Sequence, residues 1–362
     1  MQRRAFLTLA SALSLSTLIG RAGPASAEPP QVTGPFVHEN LAVYLVHGKS
    51  APGPVPLTLE EALARGAVEV RETGSVNELE IENLSDLEVF VQGGDIVKGG
   101  RQDRVLAVSL LLPQKSGKLP ISAFCVEQGR WAKRGVESDR KFSAVTEMLP
   151  SRGAKLAMRA LPAEPAGVPG RNANRVLEGR IDRHAGTGTA NAQGEVWAKV
   201  GQLQDKLGAN LGGEVRSAAS ASSLQLSLEN EKLGAAQKAF LDALTPRVVE
   251  AEDAVGYVAV VNGKIASADV YASNALFRKL VPRALKAAAT EAIGLKDQLP
   301  KAIEPSLAAV ASFLAEAEKA EAKPAALPLK TIVGDSRKSK AALQSETRKA
   351  DGSLVHRNVL AF

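Results

Sequence analysis

Two β-prone runs joined by Asn262-Gly263 constrain this chain more than any other short stretch. Val258 to Val261 lies on one side and Lys264 to Tyr271 on the other. Asn-Gly between two such runs is the strongest local signal for a two-residue hairpin turn, because both residues tolerate positive φ. The first half of the chain reads the same way. Leu41 to Val46 is apolar enough for a strand, and Val76 to Glu82 alternates apolar and polar, with Leu79 and Ile81 on one face and Val76 out of phase. Leu87 to Val91, Arg104 to Leu112 and Leu119 to Val126 continue as strands, with turns near 83–86 and 114–117. The expectation is a mostly antiparallel sheet with one covered face.

Helical periodicity appears elsewhere. Thr58 is placed to cap Leu59 to Ala64, and Glu195 to Leu207 and Lys232 to Val249 read as amphipathic helices separated by a Ser/Ala-rich loop at 217–223. Ser273 caps a helix through Phe277 and Leu280 towards Ile293, in which Pro282 either makes a kink or opens a second helix. A further helix spans Ser306 to Ala320. Between Lys133 and His184 eleven basic residues meet six acidic ones and Pro and Gly recur, so this stretch reads as an irregular excursion, continued by Gly186 to Thr189. The fold class that follows is α+β, a mostly antiparallel sheet packed by helices, with the strands of 41–131 and the Asn262 hairpin sharing one core. Residues 294–362 read as a helix, a flexible Lys/Ala/Pro-rich segment and a final strand from Leu354.

The N-terminus has the three parts of an export signal: Arg3-Arg4, an apolar stretch from Leu7 to Ile19, and Ala25-Ser26-Ala27 before a cleavage point. Arg3-Arg4 followed by Phe6-Leu7 resembles the twin-arginine type, and the stretch is shorter than a spanning helix needs. The expectation is a signal over 1–27 and a periplasmic or secreted protein without a membrane span. Outside that segment 42 basic side chains face 39 acidic ones, so no global charge points to nucleic acid. Aromatic residues at 4% also leave little material for stacking single strands. Cys125 is the only cysteine, which excludes an intrachain disulfide.

Chemistry-bearing residues concentrate in two places. The first is Gly93-Gly94-Asp95-Ile96-Val97-Lys98-Gly99-Gly100-Arg101-Gln102-Asp103-Arg104, between two strands. Its glycines suit tight turns and close ligand approach, but Gly99 is followed by Gly100 and Arg101, so it is not a Walker-type loop, nor is it a dinucleotide fingerprint. The second is Cys125-Val126-Glu127-Gln128-Gly129-Arg130-Trp131, at the end of a strand. Cys125 reads as buried and inert. Glu127 is either a general base or the partner of Arg130. The four histidines, 38, 47, 184 and 356, are far apart and form no metal motif, no cofactor is indicated, and no serine sits in a Gly-x-Ser-x-Gly elbow.

These two motifs together resemble the bacterial ARG and rhodanese-phosphatase-superfamily-associated domain family. Gln193 to Trp197, Val258 to Lys264, and Asp269 to Ser273 with Phe277 are also similar to it, with Tyr271 where Phe is expected. The resemblance covers about 33–293 and leaves the Lys/Ala-rich tail outside. It implies chemistry near ADP-ribose or phosphorylated nucleosides. The expected function is binding of a small anionic ligand: Gly93, Gly94, Gly99 and Gly100 form a backbone cradle, Lys98, Arg101, Arg104 and Arg130 supply cations, and Asp103 and Gln128 lie beside them. Glu127 would be the base if hydrolysis occurs. The alternative is a non-catalytic envelope binding module.

Overall fold

The computed structural model describes residues 30–159, 187–296 and 303–362, so the expected signal at 1–27 and much of the 133–184 excursion lie outside the described residues. The chain runs β1 (Val32–His38), β2 (Leu41–His47), β3 (Leu57–Thr58), α1 (Leu59–Ala64), β4 (Val68–Glu72), β5 (Glu78–Asn83), β6 (Val89–Val91) and β7 (Ile96–Gly99). Next come β8 (Arg104–Leu106), β9 (Leu110–Leu112), β10 (Gly117–Cys125), β11 (Phe142–Ser143), α2 (Arg152–Arg159), α3 (Thr187–Leu211), α4 (Leu224–Leu228) and α5 (Glu231–Val249). It closes with β12 (Ala254–Val261), β13 (Lys264–Tyr271), α6 (Asn274–Gly294), α7 (Leu307–Lys319), β14 (Ala322–Ala325), β15 (Ile332–Lys338), β16 (Ala342–Lys349) and β17 (Leu354–Ala361). The fold is α+β.

The Asn-Gly turn forms as expected, with Asn262 at φ 52° and Gly263 at φ 68°, the two left-handed residues of a type I′ turn. The hairpin sits in an eight-stranded antiparallel sheet of order β1-β2-β12-β13-β17-β16-β15-β14. This sheet is covered on both faces. Helix α6 packs on β2, β12 and β13, while α7 lies on β1, β15 and β16. Leu41, Val43 and Leu45 therefore enter one apolar cluster, and Ala42, Tyr44 and Val46 enter another. Burial on both sides explains why β2 and β12 are near-continuous apolar runs rather than alternating ones.

The strands between 57 and 143 do not form the expected single sheet. They divide into a six-stranded sheet, β11-β7-β8-β10-β5-β4, and a three-stranded one, β3-β6-β9. The run from Arg104 to Leu112 is broken at 107–109, and its halves belong to different sheets. Apolar content alone does not report which partner each half finds. The large apolar cluster nonetheless holds Leu79, Val105 and Ile121 from the smaller sheets together with Tyr257, Val261 and Phe277, so both halves of the chain share one core.

Caps at Thr58 and Ser273 occur as read, Thr58 as a reciprocal capping box with Glu61, and Ser306 caps α7 as well. One continuous helix, α6, runs through Pro282, so no second helix opens there. Helix α3 begins at Thr187, where the sequence suggests a loop. The expected flexible segment is also corrected, since β14, β15 and β16 occupy it and pair in register. One of its charges is partnered within the sheet: Glu346 lies opposite Arg357, and Arg357 Nε donates to Glu346 Oε2 at 2.7 Å.

Candidate functional site

The two motifs meet in space. β7 and β8 pair with Val97 opposite Arg104, and the turn between them needs glycine: Gly99 has φ 121°, Gly100 has φ 55°, and a Cβ on Gly100 would stand 2.6 Å from Glu72 Oε1. Asp103, fully buried, accepts the Gly99 N–H on Oδ1 at 3.0 Å and the Ser223 hydroxyl on Oδ2 at 2.8 Å. Its own N–H donates to Glu127 Oε2 at 3.0 Å. Glu127 Oε1 accepts Arg130 Nε at 2.7 Å and Arg134 Nη1 at 3.4 Å, and Arg134 also grips both oxygens of Asp103. The other nitrogens of Arg130 donate to the carbonyls of Gly99, Gly100 and Ala132. Burial pushes the Glu127 carboxyl up, but Arg130, Ser220 and the Asp103 N–H outweigh it, and Glu127 is held below the ordinary carboxylate range.

The remaining positions named from sequence are mostly occupied too. Lys98 Nζ donates to Glu229 at 2.6 Å. Arg104 is buried and contacts Gln102 Oε1 at 3.1 Å, Cys125 Sγ at 2.8 Å and Glu72 at 3.5 Å. Burial pushes the Cys125 thiol up to about 11, consistent with an inert side chain. Gln128 is exposed and tied through its backbone to Ser222. Arg101 is exposed and, among the described residues, has no carboxylate on its guanidinium; it lines a shallow hollow with Glu72, Arg104 and Trp131. Of the cations named from sequence, Lys98, Arg104 and Arg130 already carry internal acceptors. Arg134, Ser223 and Glu72 complete the network, although the sequence offered no sign of them beyond their charge or polarity.

A second polar cluster lies at the other end of β7, around the Gly93–Gly94 turn. Gly94 adopts φ 108°, and a Cβ on Gly93 would stand 3.2 Å from the Ala107 carbonyl and 3.4 Å from Arg159 Nη2. Lys155 and Arg159, one helical turn apart on α2, both approach this bare backbone, with Lys155 Cε 3.8 Å from a Cβ built on Gly94. Arg159 Nε and Nη1 are shielded from solvent and have no hydrogen-bond partner among the described residues.

The break between β8 and β9 delivers Ser109 to the same place. Its Oγ accepts the Gly93 N–H at 3.0 Å and lies 3.0 Å from His356 Nδ1. His356 Nε2 lies 3.0 Å from Asp269 Oδ1, which also accepts Asn358 Nδ2 at 2.8 Å, while Asp269 Oδ2 accepts the Tyr257 hydroxyl at 2.9 Å. Strand register makes this possible. Tyr271 lies opposite His356 and Asp269 opposite Asn358, so Asp269 and His356 are diagonal neighbours across β13 and β17. The imidazole is stacked on Tyr271 at 5.0 Å and edge-on to Phe90 at 5.5 Å, which fixes its plane.

The family model of the ARG and Rhodanese-Phosphatase-superfamily-associated Protein domain, ARPP-1, matches residues 30–360. The chain belongs to this family. No curated protein and no solved structure matches it. The ARPP-1 domain thus extends well past Ile293, where the sequence resemblance stops, and takes in β17 with His356. Within the described residues no helix is long and apolar enough to cross a membrane.

Electrostatics distinguish the two clusters of the ARPP-1 domain. At the second, burial pushes Asp269 up, but His356, Lys155 and Tyr257 outweigh it and hold the carboxyl below its usual range, so it is ionised and only accepts. In a neutral ring the His356 proton therefore sits on Nε2, and the Nδ1 lone pair faces the Ser109 hydroxyl. Burial pushes Lys155 down against the pull of Asp269 and Glu291, and pushes Arg159 down to about 10, so Arg159 remains a cation near neutrality. Ser109, Lys155, Arg159, Asp269 and His356 were not legible as a site in the sequence, where 247 positions separate Ser109 from His356.

Proposed function

We propose that the protein binds a small anionic ligand, phosphorylated or nucleotide-derived, and that it does so over the Gly93–Gly94 turn rather than at the Glu127–Arg130 junction. One observation carries this reading: two nitrogens of the Arg159 guanidinium are shielded from solvent and have no partner among the described residues, and the group lies against glycine backbone. A desolvated cation without hydrogen-bond acceptors is unfavourable, and an anion would supply them. Lys155, one turn away, adds a second positive charge. At the junction the carboxylates of Asp103 and Glu127 already neutralise Arg130 and Arg134, which favours a fastening role there.

Calorimetric titration with inorganic phosphate, nucleotides and ADP-ribose tests this. A charge-assisted contact contributes about 1.5–3 kcal/mol, so Arg159→Ala should weaken the tightest of these ligands about 10- to 150-fold. Arg130→Ala should lower the melting temperature without changing affinity. Equal affinity in a folded Arg159→Ala variant removes the site. We further propose export of the chain through the signal at 1–27. Mass spectrometry of the protein recovered outside the cytoplasm should then find Glu28 at its N-terminus, and retention of residues 1–27 there would refute cleavage.

A further inference from the structure

We propose that Ser109 is a nucleophile, that His356 is its base, and that Asp269 orients that base, so that the domain hydrolyses a carboxylic ester of a small anionic molecule. The substrate class rests on the anion-binding reading above; the nucleophile does not. Two contacts join the three residues. Ser109 Oγ to His356 Nδ1 is 3.0 Å, and His356 Nε2 to Asp269 Oδ1 is 3.0 Å. Asp269 is fastened by Asn358, Tyr257 and Gln92, so its position is set by groups outside the relay. Rings on two sides hold the imidazole. A serine donating to the free nitrogen of an imidazole whose other nitrogen is held by a buried carboxylate is the arrangement that activates a hydroxyl, whichever ring nitrogen plays which part.

Neighbouring groups fix the serine and act on its charge. Ser109 lies in a break between two strands rather than inside a ladder, and its carbonyl is pinned by the Thr347 hydroxyl at 3.0 Å. The Gly93 N–H donates to Oγ and would stabilise charge developing on it. Arg159 Nη2 stands close to Gly93, and its shielded nitrogens, together with Lys155, are donors for the substrate's own anionic group.

The step balances. Ser109 Oγ forms a bond to the acyl carbon as its proton passes to His356 Nδ1. The ester C–O bond then breaks and the leaving alkoxide takes that proton, giving an alcohol. Water adds to the acyl-serine, gives one proton to His356, and releases the carboxylic acid as Oγ recovers the proton. No oxidant, reductant or further reactant is consumed.

The test is labelling of the full-length protein with a fluorophosphonate, followed by peptide mapping, alongside turnover of p-nitrophenyl acetate and of the p-nitrophenyl monoester of succinate. One adduct on Ser109 is expected, absent after heat unfolding and absent in Ser109→Ala. In a folded His356→Gln variant the labelling rate should drop by about 100-fold or more. Turnover of the succinate ester should exceed that of the acetate by about tenfold, and this preference should vanish in Lys155→Ala. No adduct on Ser109 in the unaltered protein overturns the nucleophile, a result that needs no variant to fold. An adduct with equal turnover of both esters overturns the anion-binding reading and leaves the nucleophile. Turnover of p-nitrophenyl phosphate in place of both esters overturns the acyl assignment.

Discussion

Glu127 shows how one residue can look like a base and be placed as a brace. The carboxylate is fully buried, both oxygens are engaged, and two guanidinium groups share it. Removing one member of a buried ion-pair network leaves the other charges uncompensated, so Glu127→Gln should destabilise the fold by about 3 kcal/mol. The pH dependence has a definite sign. Because Glu127 is held below its usual value of 4.5 in the folded state, its contribution is fully present above that value and is lost as the pH falls through the lowered one. Urea unfolding between pH 3 and 7 should therefore show a flatter acid limb in Glu127→Gln than in the unaltered protein. Asp269 is lowered as well, so part of the acid limb will persist in that variant.

Among the elements, the β12–β13 hairpin sets the position of Asp269 and so the second cluster. Two glycines in it do different work. Gly263 has φ 68°, and Ala there should cost about 1 kcal/mol through the left-handed backbone alone. Gly256 has no unusual φ but lies against the partner strand: a Cβ would stand 2.4 Å from the Asp269 carbonyl and 2.9 Å from Val270 Cα. Backbone must move to admit it. Gly256→Ala should therefore cost more than Gly263→Ala, about 3 kcal/mol by the measure of overpacked interiors, and should also displace Asp269. Thermal unfolding ranks the two, and fluorophosphonate labelling should be slowed only in Gly256→Ala.

Taken whole, the molecule depends on its last strand. β17 lies between β13 and β16 in the eight-stranded sheet and contributes Val355, Val359 and Leu360 to the interior as well as His356. Deleting 354–362 would expose the edges of two internal strands and remove a face of the core. The truncated chain should fail to give a cooperative unfolding transition by circular dichroism. Limited proteolysis of the intact protein should leave 332–338 and 342–349 uncut, because both strands are paired along their length. A stable fragment ending before β14 would refute this account.

The sequence by itself determined the features that depend on near neighbours: the Asn262-Gly263 turn, the caps at Thr58 and Ser273, and the alternation that buries Leu79 and Ile81. Each is a matter of local backbone freedom or side-chain period, which a few adjacent residues settle. It also brought the two motifs to attention, and they do touch. Only the tertiary structure decided what their charges do, since Arg134 and Ser223 reach Asp103 from separate segments. It likewise decided that the charged segment after Lys319 is sheet, because Glu346 finds Arg357 across a strand pair and not in solvent. The Ser109, His356 and Asp269 line belongs to the same class. Strand register and a break between two sheets bring these three residues together, and pairings of that range leave no periodicity or spacing in the chain to be read.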